Sequence, residues 1–466
     1  MRGPLAYAAV SLLALIPCFW QSRIQAGDLG SHIYNAWLAQ LIRQGQAPGL
    51  AIVPQTTNVL FDLLLSGLFR AFGAAAAQRI AVSLAVLVLV WGAFAFSSAA
   101  GRKPWPLVPS IIALAYGWVF HMGFFNFYLS LGLCFWALSL AWRPDPRRLA
   151  AAAVVLIPAY LAHALPVAWT LALLGYRWLL RRWPEQRWRL LLSACAAMIA
   201  LHITLAFRMW TDWRPEQIQF TVGAHELWVF GSKYMYPAAA TLLVWVLLAI
   251  ALLRSRGRSV LSTDLFQLSA LTAAGIVLIP RGIWFPLYGH PLVYITQRMG
   301  LALAVCLCAL LSAAPARRWH TFALSVAALL FFGFLYTDER TLNELEDQEE
   351  ALVATLPPGQ RVLSSLVAPD VQTIPLAHLL DRACVGRCYS YGNYEPSSAQ
   401  FRIRVTGDHG IVVPTEADSL QLQVGGYVAR PQDLPLYEIV TDPTGRLVLR
   451  SIPAGSRNSV MLWEGL

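Results

Sequence analysis

Apolar runs long enough to cross a bilayer recur along this chain until residue 336, and then they stop. A spanning helix needs roughly 20 residues, within a range of about 17–25. Runs of that kind fall at 4–21, 76–100, 107–122, 124–142, 149–163, 164–181, 189–209, 237–253, 264–280, 297–314 and 319–336. The pair around "LAHALP" reads either as two helices joined by a tight turn or as one kinked helix. The chain is 57% hydrophobic and only 13% charged, against roughly 25% charged residues in soluble domains. The predicted fold is therefore mainly α: a polytopic membrane bundle of about eleven spans. The first run follows Arg2 and resembles a secretory signal, but the spans behind it favour an uncleaved signal-anchor.

Basic residues fix the orientation. The net charge of +10 comes from residues scattered between apolar runs, as in cytoplasmic loops, so no nucleic-acid partner is expected. With the N-terminus inside, the loops "GRKP", "RPDPRR", "RWLLRRWPEQRWR", "RSRGRS" and "PARRW" all lie inside. Counting 58–72, "NVLFDLLLSGLFRAF", as a span would reverse them. It is short and carries Asp62 and Arg70, so it is placed in or near the interface. The expected domains are a membrane part, 1–336, and an extracytoplasmic α/β domain, 337–466. The latter has strand-like runs "RVLSSLVA", "RIRVTG", "GIVVP", "LQLQV", "YEIVTD" and "RLVLRSI", with a "DPTG" turn between the last two. Cys384 and Cys388 are either a disulfide or two free thiols.

Ionisable groups near spans are costly and tend to be functional or paired. Here they gather on the outer side: Asp28, His32, Asp62, His121, His163, Glu226, Lys233, Arg281, His290 and Arg298. Behind the first run, "GDLGSHIYNAWLAQLIRQG" predicts an amphipathic helix over 29–45. Leu29, Ile33, Trp37 and Leu41 form its apolar stripe, suited to lying on a membrane surface. Asp28, His32 and Asn35 share another face. This reads as a carboxylate and an imidazole brought together over a cavity. It also reads as an N-cap Asp and a solvated His.

The order of apolar span, Gly-Asp-x-x-x-His, amphipathic helix and loop into "NVLFDLLLSGLFRAFG" resembles the GT-C class of integral-membrane glycosyltransferases. So do "GFFNFYLSLGLCFWALSLAW", "YLAHALPVAW" and a soluble domain after the last span. The resemblance implies inverting transfer of a sugar from a polyprenyl-phosphate carrier to a lipid, glycan or protein acceptor on the external membrane face. Asp28 would be the general base, with His32 orienting substrate or carrying a proton. A hydroxyl attacking a sugar carbon must lose its proton, and a placed carboxylate takes it. A lipid-phosphate leaving group needs cations, and Arg grips phosphate oxygens with two parallel bonds. Arg281, Arg298 and Lys233 are the candidates, with His290 adding a hydrogen bond. Snorkelling at helix ends explains the two arginines equally well, and interfacial anchoring suits Lys233. Asp62 is either a second acid that orients substrate or a partner of Arg70. The first loop has no adjacent pair of acids, so a divalent cation stays open as a cofactor.

Two other readings compete. A transporter or flippase for lipid-linked glycans would also have many spans. However, no repeat relates the two halves, and the charges sit at one face rather than the midplane. A non-catalytic glycan-assembly subunit would not require the carboxylate. Nucleotide-sugar chemistry on the cytoplasmic face is a weaker reading still, since the sequence has no phosphate-binding loop, no Gly-rich dinucleotide motif and no cytoplasmic acidic pair. The Arg-rich, Lys-poor composition suggests a GC-rich bacterium, and the expected location is the bacterial inner membrane.

Overall fold

A computed structural model of the chain describes residues 3–143, 145–285, 290–368 and 371–461. It is mainly helical, with 66% helix against 8% strand. Four of the described helices are long and apolar enough to cross a membrane: Leu60–Ala100, Pro184–Arg208, Ser232–Ser262 and Arg318–Val353. Five further apolar helices are shorter: Pro4–Cys18, Trp105–His121, Phe125–Ala141, Asp264–Leu278 and Ile295–Leu311. The runs either side of His163 are separate helices, Pro146–Ala162 and Ala164–Arg182. His163 joins them in extended backbone, and its Nδ1 accepts the N–H of Leu165 at 3.1 Å. Helix Leu60–Ala100 is broken at Gly73, where φ is 77° and ψ 173°. A glycine meets that conformation without the steric cost of a side chain. The break separates the acid-bearing segment 58–72 from the apolar run 76–100.

The residues group into two compact units. The first comprises Met1–Ala14, Leu84–Phe120 and Asn126–Phe334. It is helical, with one small antiparallel sheet in the order Trp210–Asp212, Gly282–Phe285, His290–Leu292.

The second unit comprises Leu15–Ser83, His121–Phe125 and Leu335–Leu466. Its main sheet runs in the order Tyr389–Ser390, Arg361–Ser364, Leu436–Thr441, Leu447–Ser451. The first three strands are parallel, and the last closes an antiparallel hairpin. The "DPTG" turn makes that hairpin, with Oδ1 of Asp442 accepting the N–H groups of Thr444 and Arg446. Two expected strands are corrected. "LQLQV" lies largely within helix Glu416–Gln423, because Thr415 caps it by accepting the N–H of Asp418 at 3.1 Å. Glu416 and Asp418 in its first turn favour the positive helix end. "GIVVP" forms no strand; its Val412 and Val413 are buried as core.

Strand alternation divides the unit's apolar residues between two cores. Val362 and Ile439 enter one; Leu363 and Leu436 enter the other. Helix Leu29–Arg43 belongs to the first core. Tyr34 and Leu38 are buried there, with Trp37, Leu41 and Ile42 packed against it. The apolar stripe predicted to face a membrane surface is thus covered by protein, notably Val362, Leu380 and Ile439. Leu50–Ile52 also pairs antiparallel with Ile403–Val405. Cys384 and Cys388 form a disulfide in the same core.

Candidate active site

The site is built around the start of helix Leu29–Arg43 in the second unit. Gly27 has φ of 35°, and a Cβ there would meet the carbonyl oxygen of Met122 at 2.5 Å. A Cβ on Gly123 would meet the backbone nitrogen of Asp28 at 2.4 Å. The Asp28 N–H donates to the Met122 carbonyl at 3.2 Å. Two glycines therefore allow the chain to pin the backbone at Asp28.

Asp28 occupies the N-cap position, yet its side chain makes no capping hydrogen bond. Its Oδ1 instead lies 3.4 Å from Nε2 of His378. Nδ1 of His378 lies 2.8 Å from Oδ2 of Asp381. Asp381 accepts a short hydrogen bond from the Ser390 hydroxyl, and the Ser390 N–H donates to the Tyr34 hydroxyl at 3.0 Å. Burial disfavours a charged ring at His378, but the hydrogen bonds and charges of Asp28 and Asp381 outweigh it and hold the ring up to about 10. His378 reaches this place because Gly30 lets it. A Cβ on Gly30 would sit 2.0 Å from the His378 carbonyl oxygen.

His32 turns to a different partner. Its Nδ1 lies 2.7 Å from Oδ1 of Asp62. Burial opposes the charged form, yet Asp62, Glu395 and Asp28 raise the ring to about 9. Asn35, the third residue on this face, donates to the Ser31 hydroxyl at 3.1 Å and accepts from Asn393 at 2.8 Å. The Ser31 hydroxyl lies 3.4 Å from Oε1 of Glu395. Burial pushes Glu395 up to about 8, with the Asp62 charge adding and those of His32 and Arg402 opposing. Arg402 is 3% exposed and gives one nitrogen to the Ser66 hydroxyl at 2.6 Å. Its Nε and Nη1 are buried without a hydrogen-bond partner among the described residues.

The structure brings together Asp28, His32 and Asp62, and adds His378, Asp381, Glu395 and Arg402. Sequence reading passed over these four. The available signal was His378 and Asp381 at i and i+3 in the soluble segment just ahead of Cys384. Among the described residues, no group of three or more His, Cys, Asp or Glu is arranged to hold a metal ion.

The other candidates lie in the first unit. Arg281 is ion-paired with Asp212, and its N–H donates to the Asp212 carbonyl at 2.8 Å. Arg298 has Nη1 3.3 Å from Nε2 of His163 and lies over the Phe127 ring at 5.9 Å. Lys233 lies 5.7 Å from the Tyr234 ring and 5.5 Å from that of Phe334, as an aromatic anchor would. His290 pairs through its backbone with Phe285; its side chain is outside the described residues. Glu226 is buried, with the Val119 N–H 3.5 Å from its Oε2, and burial pushes it up to about 8. No family model, no curated protein and no solved structure matches this chain.

Proposed function

We propose that this chain is an integral-membrane glycosyltransferase of GT-C type. It moves a sugar from a polyprenyl-phosphate carrier to a lipid, glycan or protein hydroxyl, with inversion. The observation that carries this reading is the Asp28 carboxylate, which stands at a helix N-cap without capping and is held by the His378–Asp381 pair.

In the step proposed, Asp28 takes the proton from the acceptor hydroxyl. The freed oxygen attacks the anomeric carbon, and the bond from that carbon to the lipid phosphate breaks. Its electron pair leaves on polyprenyl phosphate. His378 is a positioning residue: it stays an imidazolium at neutral pH and fixes the carboxylate's direction. Arg402 is assigned to the phosphate, because two of its buried guanidinium nitrogens lack partners and are suited to anionic oxygens. Arg281 already pairs with Asp212 and Arg298 already faces His163, so they are weaker assignments. His32 and Asp62 then orient the acceptor. The proposed setting is the bacterial inner membrane, with about eleven spans, the N-terminus inside and 337–466 outside, following the basic loops.

The test supplies radiolabelled polyprenyl-phosphate sugars to sealed membranes of both orientations, with a lipid and glycan extract as acceptor. Labelled product together with released polyprenyl phosphate, formed on the external face, supports the proposal. Unconsumed donor with lipid-linked glycan moved across the membrane would replace it with the transporter reading.

A further inference from the structure

The first unit holds an apolar groove of about 630 Å³, with no carboxylate in its lining among the described residues. Its walls include Tyr7 of the N-terminal helix, Leu84, Trp91 and Phe94 of helix Leu60–Ala100, and Trp136 of helix Phe125–Ala141. The ring N–H groups are already used. Trp91 donates to the Ser11 hydroxyl at 3.0 Å, and Trp136 to the Val88 carbonyl at 3.2 Å. Tyr7 packs on Trp91 at 5.3 Å and on Phe94 at 5.9 Å, and Trp105 backs Phe94 at 5.0 Å. The wall offers hydrocarbon to hydrocarbon.

Among the described residues, one charged residue lines the same groove. Lys103 sits in the connection after Ala100, is exposed, and makes no ion pair among the described residues. Exposed Arg102 precedes it. An apolar trough with a free ammonium on its lining matches a molecule with an aliphatic chain and an anionic head. Basic pockets beside membrane helices select anionic headgroups for this reason.

We propose that this groove binds a phospholipid with an anionic headgroup, one acyl chain against the Tyr7, Trp91 and Trp136 wall and the headgroup phosphate on Lys103. The chain contacts serve any lipid, so selectivity rests on the ammonium. The proposal is independent of sugar transfer.

The full chain, purified in detergent, is offered equal phosphatidylglycerol and phosphatidylcholine of matched acyl chains. Native mass spectrometry then reads which lipid is retained. The expected result is a several-fold preference for phosphatidylglycerol that Lys103→Gln abolishes, Lys103→Arg keeps and Arg258→Gln, at another exposed cation, leaves unchanged. Equal retention by the wild type, a preference surviving Lys103→Gln, or equal loss in Arg258→Gln would each overturn it, the last by showing only bulk charge.

Discussion

Nε2 of His378 lies 3.4 Å from the Asp28 carboxylate, while Nδ1 of the same ring lies 2.8 Å from Asp381. One imidazole thus bridges two carboxylates drawn from opposite ends of the chain. A residue that sequence alone presents as a helix cap is thereby turned away from capping and held in a fixed direction.

If His378 positions Asp28, then His378→Gln slows sugar transfer by about 10²-fold, the size expected when a reacting group is misplaced by about an ångström. The loss falls on kcat per folded molecule, while KM stays near wild type; melting temperature falls as well, because the imidazolium stabilises the fold at neutral pH. A merely structural role would leave kcat per folded molecule unchanged. Steady-state kinetics normalised to the folded fraction, measured well below the melting temperature, separates the two.

Stability falls with alkali. Both site imidazoles have folded-state values raised above their ordinary one, to about 9 for His32 and about 10 for His378. The folded state therefore holds protons that the unfolded chain has released above about pH 6.5. Their contribution is complete below that pH and is lost as pH rises through 9 and 10. Glu395, raised to about 8, loses its contribution in the same direction, between its ordinary carboxyl range and pH 8. Each retained proton changes stability by about 1.4 kcal/mol per pH unit. Melting temperature followed from pH 6.5 to 10 should decline; a flat or rising curve contradicts the assignment.

Gly30→Ala destabilises the second unit. The new Cβ meets the His378 carbonyl oxygen at 2.0 Å and its carbon at 3.0 Å, both backbone atoms that cannot swing aside. The cost is about 1–3 kcal/mol, as for other overpacking. Gly67→Ala is the control, since nothing lies within 4 Å of its Cβ. Denaturant titration of both variants should show a loss for Gly30→Ala alone.

Arg382 and Glu346 form a buried two-bond pair, with Nε to Oε1 at 2.6 Å and Nη2 to Oε2 at 2.8 Å. Arg382 also reaches Gln78 and the Ile24 carbonyl, each at 2.9 Å. Arg382→Met leaves the buried Glu346 carboxylate with Arg23 Nε at 3.4 Å and the Gln25 amide at 2.8 Å, and should cost up to about 3–5 kcal/mol. Adding Glu346→Leu removes that charge and should recover part of the loss. A double-mutant cycle read by chemical unfolding checks this; additive losses would contradict it.

Hydropathy made the helical class legible, because long apolar runs leave the backbone few alternatives. The hairpin was legible because Asp442 carries its own turn signal. Asp28, His32 and Asp62 could be picked out as charges beside apolar runs. Their pairings could not, since Asp28 meets His378 and His32 meets Asp62 only through tertiary packing. The stripe on helix Leu29–Arg43 was misread for the same reason. Amphipathic periodicity says that one face is covered, and it is silent on whether lipid or Val362 and Ile439 cover it. "LQLQV" was misread because alternation outweighed the Thr415 cap that starts a helix.

The most direct test of Asp28 as the base is the initial rate of sugar transfer by wild type, Asp28→Asn and Asp28→Glu in membranes at matched expression. Asp28→Asn should lose about 10²–10⁴-fold, the usual worth of a positioned base, with Asp28→Glu retaining part of the rate. Transfer by Asp28→Asn at the wild-type rate would contradict the assignment and move the search for the base to Asp62.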